Sequence, residues 1–209
     1  MPAPAPSAPL RLWRSTFAEA ADGIRIVVGM LALMWIVWVV NALDSYRLDR
    51  LGIEPRNLDH LYGVLTAPFL HASFGHLLGN SVPFLILGVI IALGGVRRLL
   101  TVIGVSTLIS GLGVWFVASA GSFTIGASGV IFGFATYLVS RGIFSRRLMD
   151  VAVGLIVGAL FGLSLLADLI PRAGVSWQGH LFGAVAGVLA ASIESRRAPA
   201  GATLRRRAV

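Results

Sequence analysis

The sequence predicts an all-α membrane protein with six transmembrane helices, because it is too apolar for a water-soluble domain and its charges fall between hydrophobic runs. Hydrophobic residues make up 56% of the 209 positions and charged residues only 12%, with a mean hydropathy of +0.86. Soluble domains carry about 25% charged residues. The 25 glycines agree with this class, since membrane helices associate through small residues.

Six apolar runs approach the roughly 20 residues needed to cross a bilayer core. The predicted spans are residues 26–43, 76–93, 99–120, 128–140, 151–166 and 177–193. The first run could instead be a signal peptide, but its core is longer than a typical signal core and no small-x-small cleavage site follows it. We therefore interpret it as a retained span.

The fourth run is short, and the segment before it, GSFTIGAS, is rich in Gly and Ser. This pattern predicts a helix that begins inside the membrane after an irregular entry. Irregular backbone at that depth is tolerated only where protein or a water-filled cavity satisfies its polar groups. We therefore expect a cavity near Ser128.

The arginines orient the spans. All 17 basic residues are arginine, and 13 of them lie inside if both termini and the loops at Arg97 and 141–147 are cytoplasmic. The arginines left outside are Arg47, Arg50, Arg56 and Arg172. This positive-inside bias accounts for the net charge of +8 without a nucleic-acid partner.

Three regions are predicted: a disordered cytoplasmic N-terminus (1–23), a membrane domain (24–194) and a basic cytoplasmic tail (195–209). The tail arginines at 205–207 either contact anionic lipid headgroups or simply flank the last span. A long outer loop, residues 44–75, joins the first two spans, and a loop of that length is usually functional or carries its own structure.

Polar side chains inside a bilayer are costly, so each one is a candidate functional residue. His76 and Asn80 are four residues apart and share one helix face. Ser128 lies 13 residues before Arg141 and His180 lies 14 residues before Glu194, which places both about 20 Å above the inner boundary. All four residues therefore converge near one level on one side of the membrane.

A serine needs a base to become nucleophilic, and His180 can serve Ser128 in that way. No span contains an internal Asp or Glu, and Asp168 could approach only by a fold-back, so we predict a dyad and not a triad. His76, the Asn80 amide and the Ser128 N–H are candidate donors to an oxyanion. No metal ligands are predicted.

Glycine spacing predicts where two of these spans touch. Gly129 with Gly133, and Gly183 with Gly187, each form a GxxxG face, and close approach of the two faces would bring Ser128 and His180 together. Such faces, and Ser-Gly pairs, more often reflect packing alone. The glycine ladder Gly154, Gly158 and Gly162 is interpreted as helix packing.

Two other functions fit the composition less well. A transporter or channel would distribute ionisable groups through the membrane depth, whereas these cluster, and the hydropathy shows no inverted repeat. A metalloprotease is excluded because the sequence has no HExxH motif and no carboxylate within a span. The absence of cysteine excludes thiolate catalysis.

Three motifs, in order, resemble those of the rhomboid family of intramembrane serine proteases. HASFGHLLGN (71–80) resembles the family's HxxxxHxxxN, GASG (126–129) resembles GxSG, and HLFGAVAG (180–187) resembles HxxGxxxG. The resemblance implies a six-transmembrane-helix rhomboid-like bundle in which Ser128 is the nucleophile, His180 is the general base, and His76, Asn80 and Ser128 line the oxyanion hole. It gives supporting roles to His71, Gly126, Gly129, Phe132, Gly183 and Gly187.

The same resemblance implies a serine endopeptidase whose substrates are single-pass membrane proteins, working within the lipid bilayer without a metal or nucleotide cofactor. We place it in a bacterial plasma membrane with its site opening to the outer side. The sequence departs from the family where many members have a Trp-Arg pair, near Tyr62-Gly63, and at Phe132, where Tyr is common. The alternative is an inactive rhomboid-like protein that binds membrane clients, although such proteins normally lack the Ser or the His.

Overall fold

The computed structural model describes the backbone of residues 8–197 and the side chains of residues 17–196, and it is all-helical. Each predicted apolar run overlaps one long helix, so the all-α class is confirmed. Within the described range there is no β-strand, only two isolated bridges. The α-helices are α1 (Ala8–Leu43), α2 (Gly63–Thr66), α3 (Phe74–Ala92), α4 (Val96–Val117), α5 (Ser128–Ser145), α6 (Leu148–Ala167) and α7 (Trp177–Arg197).

Four of the helices are long and apolar enough to cross a membrane: α1, α3, α4 and α6. The count of six spans therefore remains a prediction. Helices α5 and α7 are not among these four. Arg141 in α5, and Gln178, His180 and Glu194 in α7, lower the mean hydropathy of those helices.

Helix α1 begins at Ala8 and passes the predicted boundary between residues 23 and 24 without a break. Residues 8–23, predicted to be disordered, are thus helical in the structure. Ala, Leu, Arg and Glu dominate this stretch and favour helix, and Pro9 falls in the first turn, where proline is tolerated. Residues 1–7 and the tail beyond 197, including the arginines at 205–207, lie outside the described residues.

The segment between α1 and α3 forms short helical turns rather than one irregular loop. Besides α2 it contains three 3-10 turns, Arg47–Leu51, Leu58–His60 and Ala67–Phe69. Ile53 and Thr124 exchange two main-chain hydrogen bonds of 2.9 Å. These bonds attach the segment to the chain that leads into α5.

Two further side chains anchor this segment to the end of α4. The Arg56 guanidinium donates to the Ala118 carbonyl at 2.8 Å, and the Trp115 indole donates to the Asn57 carbonyl at 3.0 Å. An arginine and a tryptophan from different parts of the chain therefore hold the segment, although the family's adjacent Trp-Arg pair is absent at Tyr62-Gly63.

A polar cluster joins α5 to α6 at the end of α5 opposite Ser128. Arg141 Nε donates to Asp150 Oδ1 at 3.0 Å, and Ser145 Oγ donates to Asp150 Oδ2 at 2.7 Å. Arg141 also donates to the hydroxyl of the fully buried Tyr137 at 3.3 Å. This cluster fixes the start of α6 and leaves the rest of that helix to weaker contacts.

Candidate active site

Helices α5 and α7 touch through their glycines. A Cβ on Gly183 would overlap the Gly129 carbonyl oxygen, and a Cβ on Gly187 would overlap that of Gly133. Thr136 Oγ1 adds a hydrogen bond of 2.9 Å to a main-chain carbonyl of α7. The main chains therefore approach closely, and this contact sets the distance between the first turns of the two helices.

Those first turns carry the predicted nucleophile and base. Ser128 is the first residue of α5, and its Oγ lies 2.9 Å from Nε2 of His180. His180 is 5% exposed. In a neutral imidazole one ring nitrogen donates and the other accepts, so Nε2 can accept from the serine hydroxyl when the proton is on Nδ1.

Nδ1 of His180 has a partner that the sequence did not reveal. It lies 2.8 Å from the main-chain oxygen of Asp168, the residue that ends α6. The chain folds back so that the main chain of Asp168 reaches the dyad, while its carboxylate pairs with Arg172 and not with His180. The arrangement therefore stays a predicted dyad with no carboxylate as third member. The last carbonyls of a helix lack partners within the helix, which leaves the main-chain oxygen of Asp168 free to accept.

A second group of donors lies beside Ser128. Gly126 has a φ of +115°, and a Cβ built on it would lie 2.6 Å from His76 Nε2 and 3.5 Å from Asn80 Nδ2. Asn80 is 7% exposed, and its Nδ2 has no hydrogen-bond partner within the described part of the chain. Two side-chain nitrogens thus converge on one small space that only glycine leaves open. The Ser128 N–H, at a helix N-terminus, also lacks an acceptor within its helix.

His71 and Phe132 border the site. His71 is fully buried, and its ring centroid lies 4.9 Å from that of His76. Burial, followed by repulsion from His76, lowers the pKa of His71 from 6.5 to about 4. The ring is therefore neutral at pH 7 and packs beside His76, while Phe132 covers one face of the His180 ring.

The cavity expected near Ser128 is present. Its volume is about 30 Å³, enough for one or two water molecules. Besides Ser128, the hydroxyl-bearing residues around it are Thr107, Ser110, Thr124 and Ser176.

A larger, apolar cavity of about 310 Å³ separates part of α6 from α5 and α7. A Cβ on Gly154 would lie 3.2 Å from the Leu138 carbonyl, as packing requires, but one on Gly158 or Gly162 would meet nothing within 4 Å. The interpretation of the glycine ladder as packing is right at Gly154 and wrong at the other two, which line the cavity.

The family model for the Rhomboid domain matches residues 58–197. This chain belongs to the rhomboid family. The matched rhomboid region contains all three motifs and leaves out α1. The resemblance seen in the motifs is thereby confirmed at the level of the family.

Relatives extend the match. An uncharacterized protein of Mycobacterium tuberculosis is 40% identical over 177 residues, which cover 81% of this rhomboid chain and 74% of the relative. An uncharacterized protein of Mycobacterium leprae is 38% identical over 180 residues, covering 83% and 71%. A Bacillus subtilis protein named "Putative rhomboid protease YdcA" is 28% identical over 171 residues, covering 78% and 85%.

Proposed function

We propose that the protein is an intramembrane serine endopeptidase that cuts membrane proteins in or beside a transmembrane segment. The observation that carries this proposal is the 2.9 Å hydrogen bond between Ser128 Oγ and His180 Nε2. A serine hydroxyl hydrogen-bonded to a buried histidine, whose other nitrogen is also bonded, is the arrangement that activates a hydroxyl for acyl transfer.

In the first half-reaction, Ser128 Oγ attacks the carbonyl carbon of the scissile peptide while its proton passes to His180 Nε2. The carbonyl π electrons move to the oxygen, and the resulting oxyanion accepts hydrogen bonds from His76 Nε2–H, Asn80 Nδ2 and the Ser128 N–H. When the intermediate collapses, the C–N bond breaks and the amine leaves with the proton from Nε2. An ester on Ser128 remains.

In the second half-reaction, water attacks that ester while His180 Nε2 takes its proton. The ester C–O bond then breaks, and Ser128 Oγ recovers the proton. The cavity of about 30 Å³ beside Ser128 is large enough to hold the water, and the hydroxyls around it can orient that water.

The proposed substrates are single-pass membrane proteins, and the proposed location is a bacterial plasma membrane with both termini cytoplasmic and the site opening outward. Four long apolar helices support a site embedded in a bilayer. The arginine distribution supports the orientation. His71, Gly126, Gly129, Phe132, Gly183 and Gly187 are proposed to position the site, which needs no cofactor for this chemistry.

The test is labelling of the purified protein in detergent with a fluorophosphonate probe, together with cleavage of a membrane-anchored substrate. We expect both to occur in the wild type and to be lost in Ser128→Ala and His180→Ala. Ser106→Ala is the control for loss of a serine hydroxyl elsewhere in the helices, because Ser106 is buried and its hydroxyl has no hydrogen-bond partner among the described residues. Labelling that persists in Ser128→Ala, or a folded wild type that never reacts, would overturn the proposal.

A further inference from the structure

We infer that the main-chain carbonyl of Asp168 is a positioning group for His180, and that it ties the competence of the dyad to the end of α6. The role of this carbonyl in catalysis rests on the proposed function, whereas its effect on the tautomer of the imidazole does not. The group is a carbonyl oxygen, so the arrangement is a triad in geometry without a third ionisable side chain.

The two hydrogen bonds of His180 determine each other. Nδ1 is 2.8 Å from Asp168 O and Nε2 is 2.9 Å from Ser128 Oγ. A carbonyl only accepts, so the imidazole proton must be on Nδ1, which leaves the lone pair of Nε2 facing Ser128. Without the carbonyl, the other tautomer would place a proton on Nε2, and that form cannot take the proton of the serine.

The position of this carbonyl is set by the turn after α6, in which main-chain hydrogen bonds are joined by one side-chain ion pair. The Asp168 N–H bonds to the Ser164 carbonyl at 3.0 Å, and its carboxylate pairs with Arg172. Arg172 and Val175 close the next turn through a main-chain bond of 3.2 Å, with Gly174 at a φ of +76°. Any residue at 168 that keeps this turn would present the same oxygen.

The end of α6 has little other packing to hold it near α7. The two residues that α6 buries, Gly154 and Val157, lie in its first half. In its second half, Phe161 and Leu165 are partly buried against the core, whereas Gly162 lines the cavity of about 310 Å³ that separates α6 from α5 and α7. A displacement of this end relative to α7 breaks the Nδ1 hydrogen bond directly.

The experiment replaces one peptide bond by an ester, using nonsense suppression with an α-hydroxy acid in the full-length chain. An ester at Leu169 weakens the Asp168 carbonyl as an acceptor and removes the Leu169 N–H bond to Leu166 O (3.2 Å). The matched control is an ester at Ile170, which removes an equivalent bond to Ala167 O (3.2 Å) but weakens the Leu169 carbonyl instead.

The first readout is ¹⁵N NMR of histidine-labelled protein, with the His180 signal assigned by its loss in His180→Gln. We expect the unmodified protein and the Ile170 ester to hold the proton on Nδ1, and the Leu169 ester to shift population toward Nε2. The second readout is cleavage, where the Leu169 ester should lower kcat about tenfold with KM unchanged. Asp168→Asn should retain the wild-type tautomer.

Equal effects of the two esters, or a proton on Nε2 in the unmodified protein, would overturn the inference. If the unmodified protein neither reacts with a fluorophosphonate nor cleaves a substrate, the proposed function fails. The NMR comparison still decides the role of the carbonyl in that case, so the two failures are distinguishable.

Discussion

The phenyl ring of Phe132 lies parallel to the imidazole of His180, with centroids 4.3 Å apart and 5° between the planes. Phe132 is one turn after Ser128 on α5, so the helix that supplies the serine also supports the histidine. With hydrogen bonds at both ring nitrogens, the imidazole is held in its own plane and against one face.

Phe132→Ala should reduce kcat by up to about tenfold, because an aromatic pair contributes roughly 0.5–1.5 kcal/mol beyond burial. Steady-state cleavage kinetics measure the effect, and KM should change little. Phe132→Tyr is the control, since it keeps the ring and the stack. Equal losses in both variants would contradict a stacking role.

Gly126→Ala should lower kcat about a hundredfold or more, because its methyl would obstruct the space that both His76 and Asn80 face. The added methyl would lie 2.6 Å from His76 Nε2, in the space on which the donors converge, and the φ of +115° disfavours any side chain. Asn80→Ala, which removes one donor without adding atoms to the site, should lower kcat roughly tenfold or more.

The matched control for Gly126 is Gly79→Ala. Gly79 precedes Asn80 on α3, and a Cβ there would meet nothing within 4 Å. We expect near-wild-type turnover from this variant. If Gly126→Ala remains equally active, the oxyanion does not lie where His76 and Asn80 converge.

Gly183→Ala should destabilise the protein, whereas Gly158→Ala should not. The first places a methyl on the Gly129 carbonyl oxygen, and overpacking of this kind typically costs about 1–3 kcal/mol. The second fills open space and should be neutral or stabilise by up to about 1 kcal/mol. Thermal unfolding in one detergent compares them, and a lower melting temperature for Gly158→Ala would count against the open cavity.

His71 should make the folded protein sensitive to acid. Because burial lowers the pKa of His71 from 6.5 to about 4, the unfolded chain binds a proton there more readily than the folded one. Its contribution, up to about 3 kcal/mol, is complete above pH 6.5 and is lost as the pH falls through 6.5 toward 4.

The check is the difference between the wild type and His71→Phe in unfolding free energy as a function of pH. The phenylalanine keeps a ring beside His76 but does not titrate. We expect the two curves to run parallel above pH 6.5 and to converge or cross below it. Parallel curves down to pH 4 would show that His71 is not the group responsible.

The sequence was enough to select the candidate residues that the structure brings together, but not the groups that surround them. Ser128 and His180 were conspicuous because hydrocarbon makes every polar side chain costly, and their glycine neighbours marked where the helices meet. Asp168 O could not be found in this way, because every residue carries a carbonyl and composition gives no indication of which one is unpaired.

The glycine ladder shows a different limit. Gly154, Gly158 and Gly162 have the same spacing, yet one packs against α5 and two face a cavity. Glycine permits close approach without requiring it, so the partner helix decides.

At its closest points the contact between α5 and α7 joins peptide carbonyls to glycine main chain, and those points have no rotamers to exchange. Helices that touch only through side chains can move relative to each other as those side chains change rotamer. Where main chain touches main chain, such a movement requires a helix backbone to deform. We therefore expect the distance between Ser128 and His180 to be as rigid as the backbones of the two helices that carry them. We expect bilayers of different thickness, or detergents of different chain length, to alter how readily substrates arrive while leaving the Ser128–His180 distance unchanged.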